Sequence, residues 1–196
     1  RDDISGQNGA PVRRAASTEA AAIMAHLVAA GARTLTFVRS RRQAETTALR
    51  CAEELSARGR MDFAARIASY RAGYLAEDRQ KLEHDLDNGQ LLGVATTSAL
   101  ELGIDVGGLD AVIGAGFPGT VASFWQQAGR AGRRGQGSLV VLVARDDPMD
   151  TYLVHHPAAL LERPIEASVF NPTNPYVLEG HVYCAAVEKP LSAFDI

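Results

Sequence analysis

Residues Gln126–Arg134 read QQAGRAGRR, and their types and spacing are those of a phosphate-handling site. Arg130 and Arg133 stand three apart at the end of a helix predicted over Val121–Ala128, so they face the same way. The intervening glycines let a backbone approach a ligand or a neighbouring domain closely. Planar guanidinium groups make bidentate contacts to phosphate oxygens and keep their charge at any pH. In phosphoryl transfer, an arginine placed on the developing charge is worth roughly 10³–10⁵ in rate. An isolated R-x-x-R would more simply be a solvated helix end that complements the macrodipole. A pattern extending over nine residues favours the phosphate reading.

The elements around this segment alternate. Ser17 or Thr18 is expected to cap an amphipathic helix bearing Ile23, Met24, Leu27 and Val28, with Gly31 past its end. Thr34–Val38 is a β-rich run, and Ser40 with Gln43 forms a capping box for a helix that Gly59 stops. Strands are predicted at Ala64–Tyr70, Leu91–Ala95, Asp110–Ile113 and Ser138–Ala144, with a helix at Glu77–Leu86. Strands alternating with helices of 10–15 residues predict an α/β fold, a parallel sheet with helices on both faces. After Arg145 the character changes to short stretches punctuated by Pro and Asn, with one further helix over Tyr176–Val187. The expected organisation is therefore a lobe over residues 1–145, then a linker and a mainly helical stub over 146–196.

Composition fits that organisation without naming a partner. The 196 residues are 46% hydrophobic and 22% charged, a globular balance. The longest apolar runs, such as Leu139–Ala144, fall well short of the ~20 residues that cross a bilayer. Cys51 and Cys184 are too few and too far apart for a disulfide framework, and His155, His156, His181 and Cys184 lack finger spacing, so no metal site is expected. No leader is apparent, and a cytoplasmic protein with no membrane association is expected. The net charge of −3 conceals segregation: residues 1–79 hold 13 Arg against nine acids, and 80–129 hold Lys81 against six acids.

The Q-x-x-G-R-x-G-R run resembles motif VI of superfamily II helicases, and other motifs of their second RecA-like lobe follow in register. Phe37–Glu45 is similar to motif IV with its helix, Ser69–Tyr74 with Arg79 to the next strand-end segment, and Val94–Asp105 to motif V. The strings SALELGID, SFWQQAGRAGR and NPYVLEGHVYCAAVEKPL resemble the Lhr-like and MrfA/SftH-type bacterial DNA helicases, in which the tail begins an accessory region, often winged-helix-like. Arg71 stands where many relatives have His, and Gln126 where RNA-remodelling DEAD-box proteins have His, which favours the translocating branch.

The resemblance implies an ATP-dependent DNA helicase, with roles position by position. Arg133 would be the arginine finger, supported by Arg130, and Gln126 would lie on the γ-phosphate side or couple the lobes. Gly103 and Asp105 would approach the ribose and the interlobe cleft. Ser40, Arg41, Gly73, Thr96 and Thr97 would hold strand phosphates, although each of these could also be an ordinary cap or turn. The partners implied are single-stranded or partly duplex DNA and an N-terminal RecA-like lobe of the same protein. The cofactors are ATP and Mg²⁺, bound mainly by that other lobe. Such relatives also suggest DNA repair.

The chain has no phosphate loop of the G-x-x-x-x-G-K-[ST] kind and no D-E-x-H pair for Mg²⁺, so alone it is expected to be inactive. Two other readings are open. Gly114-x-Gly116-x-x-Gly119 matches a dinucleotide-binding loop and would suit an oxidoreductase module, although Pro118 removes a donor there. The lobe could also be a catalytically silent RecA-like interaction module.

Overall fold

The computed structural model describes residues 4–5, 11–12, 14–70, 76–102, 108–132, 137–167 and 169–192. Five strands form one parallel sheet: β3 (Thr34–Phe37), β4 (Ile67–Tyr70), β5 (Gly93–Thr96), β6 (Ala111–Ala115) and β7 (Leu139–Val143), in the order β4-β5-β3-β6-β7. Two short strands ahead of them, β1 (Ile4–Ser5) and β2 (Pro11–Val12), pair antiparallel. In the parallel register Phe37 lies beside Thr96 on one side and Gly114 on the other. The C-terminal ends of β3, β5 and β6 therefore meet at one edge of the sheet, where open α/β folds place their ligands.

Side chains alternate between the two faces, and each face is covered. On one, α1 (Ala16–Ala29) and α2 (Arg41–Ala57) bury Met24, Val28, Cys51 and Leu55 against Ala95, Ile113 and Ala115. On the other, α4 (Ala76–Asp87) and a 3₁₀ turn (Ser98–Leu100) bury Leu82, Leu86 and Leu100 against Leu35, Phe37, Val94 and Val112. Cys51 has its thiol pKa pushed up to about 12, chiefly by burial and then by Glu54, so it packs as a protonated, unreactive side chain.

Two local expectations need correction. The first helix starts at Ala16, with neither Ser17 nor Thr18 as its cap. The Ala15 carbonyl already accepts from the N–H groups of Thr18 (2.8 Å) and Glu19 (3.1 Å), so both candidate residues lie inside the first turn. The Thr18 hydroxyl accepts from Arg50 instead. The strand expected from Ala64 starts only at Ile67, because Met61–Ala64 forms a helical turn, α3. There the Arg60 carbonyl accepts from Phe63 and Ala64, and its guanidinium stacks 4.0 Å over the Phe63 ring.

The chain divides into two compact units, Arg1–Ile165 and Glu166–Ile196. The first runs past the change in sequence character at Arg145, for a physical reason. Asp147 caps α6 (Pro148–His155), accepting from the Asp150 N–H at 2.9 Å, with Pro148 in the first turn. Leu153 of α6 and Leu160 of α7 (Ala158–Leu161) then close a third cluster with Phe117, Phe124 and Leu142. The second unit holds α8 (Pro175–Glu188), none of whose residues is buried.

Candidate functional site

The helix α5 (Val121–Ala128) starts at Thr120, whose hydroxyl accepts from the Ser123 N–H at 3.1 Å. Phe124 packs inward, while Trp125 and Gln126 are exposed on the other side. After the helix, Leu109 N–H donates to the Arg130 carbonyl (3.1 Å) and Gly132 N–H to the Leu109 carbonyl (2.9 Å). These bonds stitch the segment to the chain entering β6. Gly132 has φ +96°, and a Cβ there would lie 3.0 Å from the Ser138 hydroxyl, so the turn requires glycine.

Arg130 is half-buried and donates to the Glu101 main-chain carbonyl. Gln127 is buried, and its amide nitrogen donates to the Glu101 carboxylate at 2.5 Å. Glu101, only 8% exposed, thus receives two residues of the α5 segment at once. Neither Glu101 nor Gln127 stood out as a site residue from sequence. Their signal was positional, a polar pair within two motif-like strings, and no local pattern reveals that they meet.

The strand ends bring the other candidates together. The Val38 N–H donates to the Thr96 carbonyl at 2.8 Å, joining the β3 and β5 loops. Ser40 and Arg41 are exposed where α2 begins, and the Ser40 hydroxyl accepts from the Gln43 N–H at 3.2 Å. The Gln43 carboxamide reaches back to the Arg39 N–H at 3.1 Å, one residue earlier than the usual capping box. Thr97 is half-buried and caps the 3₁₀ turn, accepting from the Ala99 N–H at 3.4 Å. Thr96 differs from Thr97: its side chain is fully buried and its hydroxyl donates to the Thr97 carbonyl at 3.1 Å. A solvent-borne ligand could reach it only through the main chain. Gly73, Gly103, Asp105 and Arg133 lie outside the described residues.

A cavity of about 200 Å³ opens at this edge, lined in part by Arg39, Ser98, Glu101, Pro118 and Gln127. Removing the Ser40 cap with Ser40→Ala should cost about 1 kcal/mol of unfolding free energy, measured by urea denaturation.

The glycine-rich loop after β6 is filled by protein and is not a pyrophosphate cradle. Gly116 has φ +99°, and a Cβ on it would come within 2.2 Å of the Arg145 Nε. The Phe117 N–H, a donor that a phosphate would need, is taken by the Asp150 carboxylate at 3.2 and 3.3 Å. The dinucleotide-binding oxidoreductase reading fails on this geometry.

Comparison with known proteins places the chain in one family. The model of the helicase conserved C-terminal domain matches residues 19–135, more than half of the chain. ATP-dependent helicase HRQ1 of Saccharomyces cerevisiae is 43% identical over 178 residues, covering 89% of this chain and 16% of that protein. The helicase MrfA bound to DNA and AMPPNP superposes with a TM-score of 0.82 at 39% identity, covering 93% of this chain and 25% of that one. Mycobacterium smegmatis helicase Lhr bound to ssDNA and AMP-PNP superposes at 0.69 with 32% identity, covering 88% and 22%. The chain thus spans a quarter or less of the length of each of these relatives. With its parallel sheet in the RecA-like form of helicase lobes, the chain belongs to the helicase conserved C-terminal domain family, as a second lobe of the Lhr- and MrfA-like superfamily II kind.

Proposed function

We propose that this lobe is the C-terminal half of an ATP-driven motor that moves along one strand of DNA. The observation that carries the reading is the continuity of the strand-end loops with the arginine segment. Val38 bonds to Thr96, and Glu101, five residues beyond Thr96, bonds to Gln127 and Arg130. Contacts to a nucleic-acid strand and to a nucleotide would then share one rigid edge.

The donor set suits the phosphate side of ATP. The exposed Gln126 offers carboxamide N–H groups to anionic oxygens, and Arg130 brings a permanent positive charge to the same segment. Mg²⁺ would be held mainly by the N-terminal RecA-like lobe of the same protein. ATP when bound supplies the phosphoanhydride whose cleavage drives closing and opening of the cleft. Arg133 completes the site as the arginine finger, Arg130 supports it, Gln126 lies beside the terminal phosphate, and Gly103 with Asp105 meets the ribose side. Ser40, Arg41, Gly73 and Thr97 hold strand phosphates, with Thr96 contributing its backbone alone. The residues from 166 onward open an accessory domain.

The test compares this chain with the full-length protein that carries it. The full-length protein should hydrolyse ATP with a rate that rises on adding single-stranded DNA, and the 196-residue chain should show no turnover under either condition. DNA-stimulated turnover by the chain alone would sink the reading. A second measurement separates cap from contact at Ser40. Ser40→Asp keeps a capping oxygen, so stability should hold, while a carboxylate facing the strand should weaken DNA affinity about ten-fold at low salt.

A further inference from the structure

The buried carboxylate of Glu101 has no part in the roles assigned so far. It follows the 3₁₀ turn that Thr97 caps, with its own N–H donating to the Ser98 carbonyl at 3.0 Å. In sequence it lies between Thr96 and Thr97 on one side and Gly103 and Asp105 on the other. Facing it, Gln127 and Arg130 stand three apart, on one side of the α5 segment. Gln127 reaches the carboxylate and Arg130 the main-chain carbonyl of the same residue. The Gln127 carboxamide oxygen lies 3.9 Å from where a Gly114 Cβ would be, so the side chain rests over the sheet. A buried carboxylate is costly, and an apolar side chain of similar size would fill the space without that cost. Its benefit must come from holding two segments in a fixed relation.

We infer that Glu101 and Gln127 are a positioning pair that transmits DNA engagement at the β5 loop to Arg130 and the nucleotide cleft. The pair touches neither ligand. It makes the 3₁₀ turn and the end of α5 move as one body, so that displacing the turn displaces the Arg130 guanidinium. This inference rests on the motor-lobe reading above.

The test uses the full-length protein and follows ATP turnover with and without single-stranded DNA, together with DNA affinity in the absence of nucleotide. Gln127→Glu sets two carboxylates against each other and should lower the DNA-stimulated kcat about ten-fold, with DNA affinity and the unstimulated rate near wild type. The exchange E101Q/Q127E restores a carboxamide donor to a carboxylate acceptor with the ends reversed. It should recover stimulation to within about three-fold of wild type, which lost packing alone would not do. Should Q127E fail to fold, the exchanged protein and Glu101→Gln decide the matter: the exchange must be stimulated more strongly than E101Q. Full stimulation in Q127E, or no recovery in the exchange, overturns the inference. Absence of stimulation in the wild-type protein overturns the motor-lobe reading instead, so the two failures are distinguishable.

Discussion

Replacing Arg133 with Ala in the full-length protein should lower DNA-stimulated ATP turnover by about 10³-fold or more, and leave single-strand affinity within about three-fold of wild type. The split follows from where charge is needed. A guanidinium at the transferring phosphoryl group acts chiefly in the transition state, so its loss appears in kcat and not in the grip on DNA. Arg130 should behave differently. Its guanidinium also ties the α5 segment to the Glu101 carbonyl, so Arg130→Ala should reduce turnover and also lower the unfolding midpoint. Gly132 fixes the turn immediately before Arg133, with a φ that other residues rarely adopt. Equal loss of turnover and DNA affinity in Arg133→Ala would place that residue on the strand. A wild-type protein with no turnover at all would mean a catalytically silent lobe.

The alternation of strands and helices was legible because a parallel sheet buries both faces, which makes near-continuous apolar runs such as Val112–Ala115. Where the sequence misled, a neighbour far along the chain had decided the outcome. Thr96 reads as a strand-end residue with a hydroxyl or a backbone N–H to offer, and because β3 and β4 flank it the hydroxyl is buried. Ser17 and Thr18 misled for a local reason instead, since the Ala15 carbonyl starts the helix earlier. The G-x-G-x-x-G spacing was real, but the anion that its backbone meets is the protein's own Asp150, 33 residues beyond Phe117. Glu101 and Gln127 were hidden for the same reason. Their pairing spans 26 residues, and the Gln127 carboxamide rests near Gly114 of β6. The arginine segment after α5 was legible as a motif because glycine and arginine at fixed spacing are a local pattern. The residues that hold the site together were not, because their requirement is tertiary.

The same contrast explains the boundary near Arg145, and it sets the size of the largest stability effect. Asp146-Asp147-Pro148 has the composition of a linker, yet it begins a helix that carries Asp150 into the core. Asp150 is fully buried and accepts from the Arg145 N–H at 2.8 Å and from its guanidinium at 2.8 and 3.1 Å, as well as from Phe117. Arg145 also donates to the Phe117 carbonyl at 3.2 Å, so one ion pair clamps the loop that leads into α5. Asp150→Ala would leave the Phe117 N–H without its acceptor and the Arg145 guanidinium with the Phe117 carbonyl and, as its remaining carboxylate, the partly exposed Asp147 at 3.2 Å. Removing one partner of such a buried pair costs about 3–5 kcal/mol, and the remaining Asp147 contact sets the expectation at about 3 kcal/mol. Urea denaturation of the 196-residue chain should show this loss, with a thermal midpoint lower by roughly 6–12 °C. Asp150→Asn keeps the shape and one acceptor oxygen but turns an amide toward the guanidinium, so its cost should fall between wild type and Asp150→Ala. The exposed neighbour Met149→Ala should change stability by no more than about 0.5 kcal/mol. If Asp150→Ala also cost less than about 1 kcal/mol, the clamp would be geometry without energetic weight, and α6 and α7 would hold to the lobe chiefly through Leu153 and Leu160.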